Sequence, residues 1–443
     1  TGRMLPVRMM IRLTVRRRKM ALMVRTNRWI PVPLRRRKHR NPTPPLRIRG
    51  ISANRPETYR TMGVNGTPVR HLSDLSKVPG RILDRKMVKT FRLDICLVEE
   101  QFEMVQYVEK GRKPRWGYFP KEGHPQAVTR FDGTRITPGF LQAIAYEVYV
   151  KNVTFGLLHQ WLGDMGMTVS ENTLRNWLKK GRKYLDRMVV ELKRIALEKD
   201  AVVNCDETWC KVRKYDRYKK CYMWVLVNKA ERVVIFFYED GSRGRDVLTN
   251  FLGDAELKAL MSDGYNAYVF IGDGLKTHRY KDTDHQVCLA HVRAKFVKAR
   301  MEGGDKRADV FLDNINRLFR FEREYDREML TGVERTRRRQ GLPTMEMMIN
   351  LRAKLLQELK SEEEQKSCYM REVQNYLHKF WKEAFTYIKD DCYPILNNLA
   401  KQAMHPFTTK WKNFLHFGSD EGAEIAAVYH SIISTVKLQG KSA

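Results

Sequence analysis

Two aspartates carry the clearest chemical signal in this chain. Asp206 lies in the apolar run Ala201-Val-Val-Asn-Cys-Asp206-Glu-Thr-Trp209, and Asp263 closes Leu260-Met-Ser-Asp263 ahead of Gly264-Tyr-Asn266. Both runs read as strands that end in a carboxylate. Hard oxygen ligands gathered at strand ends can hold a pair of magnesium ions roughly 4 Å apart, one activating the attacking oxygen and the other stabilising the leaving oxygen of a phosphodiester. An Asp followed by Gly is also a common turn former, and Asp263-Gly264 fits that description. Asp206 resists the same explanation, because Val202, Val203 and Cys205 imply a buried strand, where a charge needs a partner or a metal.

The elements that would position these acids run from 199 to 300. They are a strand with Asp206, strands over Cys221 to Val227 and Val233 to Tyr238, a helix over Ser242 to Leu252, a strand from Leu257 to Met261 leading to Asp263, and His285 to Leu289 entering a helix. Three strands, a helix and further strands is a ribonuclease-H-like order. Its first and fourth strands lie side by side, which would bring Asp206 and Asp263 together at one end of the sheet. Residues 304 to 390 are helical and highly charged, with apolar spacings at Phe311, Ile315 and Leu318 and again at Leu377, Trp381, Ala384 and Ile388, as in an inserted helical subdomain. The end of the chain reads as a helix from Asn397, a short extended piece around Trp411 to Phe417, and a helix from Ala423 to Lys437.

Upstream, Thr154 to Met165 predicts a helix packing through Leu157, Leu158, Trp161 and Leu162. Gly166-Met-Thr-Val169 is a turn, and Ser170 is a good N-cap for a second helix, Glu171 to Lys180. Leu174, Trp177 and Leu178 would face its core, leaving Asn172, Arg175, Asn176 and Lys179 outward. The pair resembles a helix-turn-helix, so Arg175, Asn176 and Lys179 are candidate DNA-binding residues, although such pairs also occur in helical domains that never touch DNA. Farther upstream, Leu93, Ile95 and Leu97, then Phe102 to Tyr107, then Trp116 to Phe119, separated by Gly111-Arg-Lys-Pro114, predict a small antiparallel sheet.

The expected fold class is therefore α/β, a ribonuclease-H-like mixed sheet with a helical insertion, preceded by a helical helix-turn-helix domain and a small β-rich segment. Its boundaries fall at 1–58 for a basic disordered tail, 59–135 for the β-rich domain, 136–198 for the helix-turn-helix-like region, 199–300 for the first part of the core, 301–395 for the insertion and 396–443 for the final helices. Lys plus Arg outnumber Asp plus Glu by 83 to 51 in 443 residues, a formal +32 that suits a polyanionic partner and makes nucleic acid the first expectation. Residues 1 to 50 supply sixteen of those cations and no acid. A fragment edge or an out-of-frame reading explains that segment as well as a DNA-binding arm does. The seven cysteines are scattered without a Cys-x-x-Cys pair, so neither a disulfide framework nor a zinc ribbon is expected. With no apolar run near the ~20 residues of a membrane span and no signal-peptide pattern, the expected setting is cytoplasmic.

Four blocks carry a family resemblance: Asn204-Cys-Asp-Glu-Thr208, Ser262-Asp-Gly-Tyr265, Cys288-Leu-Ala-His-Val-Arg-Ala-Lys-Phe296 and Lys412-Asn-Phe-Leu-His-Phe-Gly-Ser-Asp-Glu-Gly-Ala-Glu424. In order and distance they resemble the insertion sequence 66 family of bacterial transposases, over about residues 130 to 440. The resemblance implies an Asp-Asp-Glu transposase that, with two Mg2+ (or Mn2+) ions, cuts double-stranded DNA at element ends and joins it to target DNA. It also implies a homo-oligomer, accessory transposition proteins and a location at the bacterial nucleoid. Carried over, Asp206 and Asp263 are the first two catalytic acids and metal ligands. The third departs from the pattern: family members show Asp-Asn-Asn-x-x-Glu-Arg followed by Arg-Pro, and Leu396-Asn-Asn-Leu-Ala-Lys401 puts Lys401 where the Glu is expected. Glu421, Glu424, Asp390 and Asp391 are the acids nearest in sequence that could substitute, and none is aligned. His405 and Trp411 stand where the family favours Arg. Arg293 and Lys295 are further DNA-binding candidates that cannot share one helix face, and His291 reads as a supporting group rather than a ligand. The expectation is a transposase whose catalysis Lys401 places in doubt, with an inactive DNA-binding protein that occupies element ends as the alternative. A structured-RNA-binding protein fits the charge but leaves the two Asp blocks unexplained.

Overall fold

The computed structural model describes residues 97–361, 366–414 and 416–441. The basic tail expected over 1–58, and the strand expected around Leu93 and Ile95, lie outside the described residues. The turn at Gly111 joins β1 (Val105–Tyr107) and β2 (Arg115–Gly117) into an antiparallel hairpin, and Gly111 takes the left-handed φ of +79° that this turn needs.

Three helices follow, α1 (Pro138–Tyr149), α2 (Phe155–Asp164) and α3 (Glu171–Ala196). Thr154 and Ser170 cap α2 and α3 by accepting from the backbone N–H of Leu157 and Thr173, at 3.3 and 3.1 Å. Leu174, Trp177 and Leu178 are buried, as their spacing predicts. In α2 the expectation is half right: Leu158 and Leu162 are buried, but Leu157 and Trp161 are 59% and 38% exposed, since a short helix buries one narrow i, i+4 stripe. The second correction is length. α3 does not end near Lys180 but continues through Gly181 to Ala196. This glycine is not a helix stop; a Cβ there would collide with the Tyr429 hydroxyl, which donates to Leu178 O at 3.0 Å, so Gly181 allows a close helix crossing.

The sheet and its connections are β3 (Val202–Lys214), β4 (Arg217–Asn228), β5 (Val233–Phe237), α4 (Arg245–Leu252), β6 (Ala259–Ser262) and β7 (Asp284–Val287). Strand order is β5-β4-β3-β6-β7, with β3 to β5 an antiparallel meander and β6 and β7 running parallel to β3. The chain then forms α5 (Leu289–Met301), α6 (Ala308–Arg327), α7 (Gly332–Arg339), α8 (Leu342–Lys360), α9 (Cys368–Lys379), α10 (Trp381–Phe385), α11 (Asn398–Phe414) and α12 (Asp420–Leu438).

Alternation along the strands gives the sheet two apolar faces. Val203, Cys205, Trp224, Leu226 and Ile235 pack on Val247, Leu248 and Leu252 of α4 and on the far end of α3. Val225, Val227, Val234 and Phe236 pack on Ala400, Met404 and Phe407 of α11 and Ala423 and Ala427 of α12. Each large apolar side chain buried this way contributes about 1.5–3 kcal/mol. The extended piece expected over Trp411 to Phe417 is corrected as well: α11 runs to Phe414, past Pro406, because its apolar stripe stays on the sheet. Among the described residues of that stretch only Phe417 is extended, bridging to the free edge of β3 through Arg213 N–H to Phe417 O (2.9 Å) and Phe417 N–H to Lys211 O (2.8 Å).

Helices α6 to α10 lie within the stretch expected as a helical insertion, and α6, α8, α9 and α10 share one core with α5. Phe311, Ile315, Leu318, Leu377 and Ala384 are buried with Leu289, Val292 and Phe296 of α5, and Trp381 and Ile388 pack at the margin. The charge of this stretch is not all solvated. Buried Arg339 donates to both carboxylate oxygens of buried Glu322, at 2.9 and 2.7 Å, and to the carbonyls of Tyr387, Asp390 and Tyr393, fastening α6 and α7 to the segment that leads back to the sheet. Among the described residues no helix is long and apolar enough to cross a membrane.

Candidate active site

Strand register brings the two aspartates together. Asn204 of β3 pairs with Met261 of β6, and the same offset carried two residues on sets Asp206 opposite Asp263, just past the end of β6. Period-two alternation then puts both carboxylates on one face of adjacent strands, which lie about 4.8 Å apart. Their proximity is also electrostatic. Burial, the neighbouring Glu207 and then Asp263 push the Asp206 carboxyl up from 3.8 to about 7, against the opposing pull of the Glu207 backbone N–H and of Lys401. Asp263 plays the turn-forming part as well: its Oδ1 accepts from Tyr265 N–H at 2.9 Å, and its carbonyl accepts from the Tyr376 hydroxyl of α9. Gly264 sits at φ +78°, where a Cβ would lie 2.6 Å from that hydroxyl, so the turn and the insertion are fitted to each other.

The third element arrives through Asn397. This residue is fully buried; its Nδ2 donates to Cys205 O at 2.8 Å, its Oδ1 accepts from Asn204 Nδ2 at 2.9 Å, and its backbone N–H points to Cys288 Sγ at 3.1 Å. The entry to α11 is thereby tied to the two residues of β3 that precede Asp206. Lys401 follows one turn later, with its N–H bonded to Asn397 O at 3.3 Å, and its ammonium acts on Asp206. The three positions singled out in the sequence therefore converge. His291 on α5 joins them: burial and then Lys401 lower its pKa while Asp263 opposes, and its buried Nδ1 has no hydrogen-bond partner among the described residues.

Glu207 is the acid that sequence reasoning passed over. It points to the opposite face of β3, where Oε1 accepts from Arg243 Nε and Nη2 at 2.9 and 2.7 Å and Oε2 accepts from the Tyr268 hydroxyl at 2.6 Å. Burial and then Asp263 raise its pKa, against the pull of Tyr268 and Arg243. With both oxygens engaged it is a structural carboxylate that adds negative potential beside Asp206. The signal was present in Asn204-Cys-Asp-Glu-Thr208, where two successive acids in a buried strand require two separate sets of partners.

The four acids nearest in sequence are engaged elsewhere. Glu421 pairs with Lys179 at 2.5 Å and Glu424 with Arg182 at 2.9 Å, while Asp390 pairs with Lys258 at 2.6 Å and Asp391 accepts from Gly332 N–H at 2.6 Å. Among the described residues, Asp390, Asp391 and Cys392 make up the one trio of His, Cys, Asp or Glu with ligand atoms within 4.8 Å of one another. The donor set at Asp206 and Asp263 is thus two carboxylates held against their mutual repulsion. That fits a single hard cation, and an ammonium at the third position does not fit a second.

The DNA-binding candidates fall in two places. Arg175, Asn176 and Lys179 are exposed on α3 and line a cleft of about 670 Å³ together with His416 and Glu421 at the start of α12. There Arg175 pairs with Glu171 at 2.5 Å and Lys179 with Glu421. On α5, Arg293 donates to Asn316 Oδ1 at 2.7 Å and Lys295 pairs with Glu372 at 2.6 Å, so the two turn toward different helices of the insertion. His405 is exposed on α11.

An uncharacterized protein of Sinorhizobium fredii, y4jD, is 24% identical over 333 residues, covering 71% of this chain, which spans 62% of that relative's length. Residues 133–425, from just before α1 into α12, match the Transposase IS66 family. The chain belongs to that family.

Proposed function

We propose that this chain is, by descent, the transposase of a bacterial insertion sequence, built on a ribonuclease-H-like sheet, and that Lys401 leaves its metal site crippled. The observation that carries the reading is the convergence of Asp206, Asp263 and Lys401 at adjoining ends of β3, β6 and α11. An antiparallel β3–β4–β5 meander flanked by parallel β6 and β7 supports the ribonuclease-H-like assignment. In this reading Asp206 and Asp263 hold Mg2+ or Mn2+. A bound ion would supply Lewis-acid stabilisation of a phosphodiester undergoing cleavage and strand transfer. The chain's own groups set the terms: Asp206 must be ionised to bind it, Asp263 is oriented by its turn and by Tyr376, and Lys401 competes as a fixed cation. Arg175, Asn176 and Lys179, on the second helix of a helix-turn-helix, are the proposed grip on double-stranded element ends, with Arg293 and Lys295 near the insertion. A homo-oligomer, accessory proteins and a place at the nucleoid belong to the same proposal.

Lys401 itself favours a second reading, a DNA-binding protein without chemistry. Nicking of duplexes copied from the DNA flanking this coding sequence separates the two. The unaltered chain should show little Mg2+-dependent cleavage and Lys401→Glu should raise it, whereas Asp206→Asn should abolish it and leave duplex affinity intact. Folded Lys401→Glu with no gain would overturn the placement of the third acid.

A further inference from the structure

Strands β3 and β4 continue well beyond the candidate site as a two-stranded ribbon. From Trp209 to Tyr222 this ribbon holds Lys211, Arg213, Lys214, Arg217, Lys219 and Lys220 against one acid, Asp216, with Trp209, Tyr215, Tyr218 and Tyr222 interleaved. Cross-strand register sorts them by face. Trp209 lies opposite Tyr222, Lys211 opposite Lys220 and Arg213 opposite Tyr218, so these six share one face, the same face as Glu207. The reverse face, with Cys210, Val212 and Cys221, is buried against the core. Trp209 is 42% and Tyr218 51% exposed, and Lys211, Arg213 and Lys220 are exposed.

The face is organised along its length. Lys220 Nζ stands 5.4 Å from the Trp209 ring centre and 5.7 Å from that of Tyr222, and the Arg243 guanidinium, 5.2 Å from Tyr222, connects this end to Glu207 beside Asp206. At the other end the Tyr218 hydroxyl meets His416 Nε2 at 3.1 Å, with ring centres 4.3 Å apart, and His416 lines the cleft that holds Arg175, Asn176 and Lys179. The ribbon face thus runs from the proposed duplex grip to Arg243 and Glu207, on the side of β3 opposite Asp206. Exposed π-faces alternating with cations, with almost no acid, match a strand whose bases are unstacked from a partner and whose phosphates need neutralising; a closed duplex offers no base faces to Trp209 or Tyr218.

We propose that this face of the β3–β4 ribbon binds unpaired DNA, stacking bases on Trp209, Tyr222 and Tyr218 and pairing phosphates with Lys211, Arg213 and Lys220. The proposal rests on the transposase reading only in taking DNA as the polyanion; it requires neither metal nor cleavage. The full chain is titrated into a short fluorescein-labelled oligothymidylate and into a labelled duplex, with anisotropy as the readout. Trp209→Ala should weaken single-strand binding about tenfold, with a much smaller effect on the duplex, and Trp209→Phe should retain most of the affinity. Lys211→Gln with Lys220→Gln should reduce the slope of log affinity against log salt by about 1.4 for the single strand. Unchanged single-strand affinity and salt slope in folded variants, with duplex binding intact, overturns the ribbon and leaves the transposase reading standing. Failure of the unaltered chain to bind any DNA overturns both.

Discussion

Replacing Lys401 with Glu tests the electrostatics of the site without touching either aspartate. The side chain emerges from the first turn of α11, whose entry is fixed by three bonds from Asn397 to Asn204, Cys205 and Cys288, so a Glu there projects from the same backbone position. Lys401 is exposed, so the energy must be taken near the screened limit. Two unit charges about 4 Å apart in water interact by ~1 kcal/mol, and turning +1 into −1 beside a divalent ion changes the charge product by about four, hence about 4 kcal/mol or roughly a thousandfold in metal affinity. Calorimetric titration of Mn2+ into the two folded proteins at pH 8 reads this directly. A second sign must accompany it: without metal, a third carboxylate near Asp206 and Asp263 lowers the thermal midpoint, and saturating Mn2+ more than restores it. Equal Mn2+ affinity in the two proteins would refute the reasoning.

Other expectations concern the frame. The folded metal-free chain holds the Asp206 proton more tightly than the unfolded chain does, since its carboxyl moves from 3.8 to about 7. Stability from this group is therefore complete below about pH 4 and lost as the pH rises through 7, up to about 4 kcal/mol. Asp206→Asn should thus be more stable than the parent in urea at pH 8 but not at pH 4; an equal difference at both refutes the assignment. Arg339→Leu leaves buried Glu322 with Arg335 alone and takes the buried donor from the carbonyls of Tyr387, Asp390 and Tyr393, and should cost about 3 kcal/mol in urea unfolding; a loss near zero would mean that the pair is dispensable. Gly181→Ala should destabilise by about 1–2 kcal/mol despite the better helix propensity of alanine, and a Tyr429→Phe background should recover most of the loss.

Much of this architecture was legible because burial leaves a periodic trace. The strands around Asp206, Val225, Ile235 and Leu260 and the stripe Phe311, Ile315 and Leu318 announce themselves by spacing alone. What remained hidden depends on partners distant in sequence. The helix from Glu171 reads as ending at Lys180 until Tyr429, from α12, is set against Gly181; Trp411 and Phe414 read as extended until the stripe of Ala400, Met404 and Phe407 carries α11 along the sheet. Within the site, Asp206 and Asp263 could be singled out by type and position, and Lys401 by its departure from a family pattern. Glu207 could not be given its structural role, because Arg243 and Tyr268 are brought to it only by the fold. Asn397 was invisible for the same reason, although it sets where Lys401 stands.

The central claim is that Asp206 and Asp263 form a metal site from which Lys401 excludes a full complement of ions. Anomalous diffraction at the manganese edge, from crystals of the parent and of Lys401→Glu soaked in Mn2+, tests it most directly. A strong peak is expected between the two aspartates in Lys401→Glu and a weak one or none in the parent. Equal peaks there in both proteins, or no peak there in Lys401→Glu with manganese bound instead at Asp390 and Asp391, would contradict it.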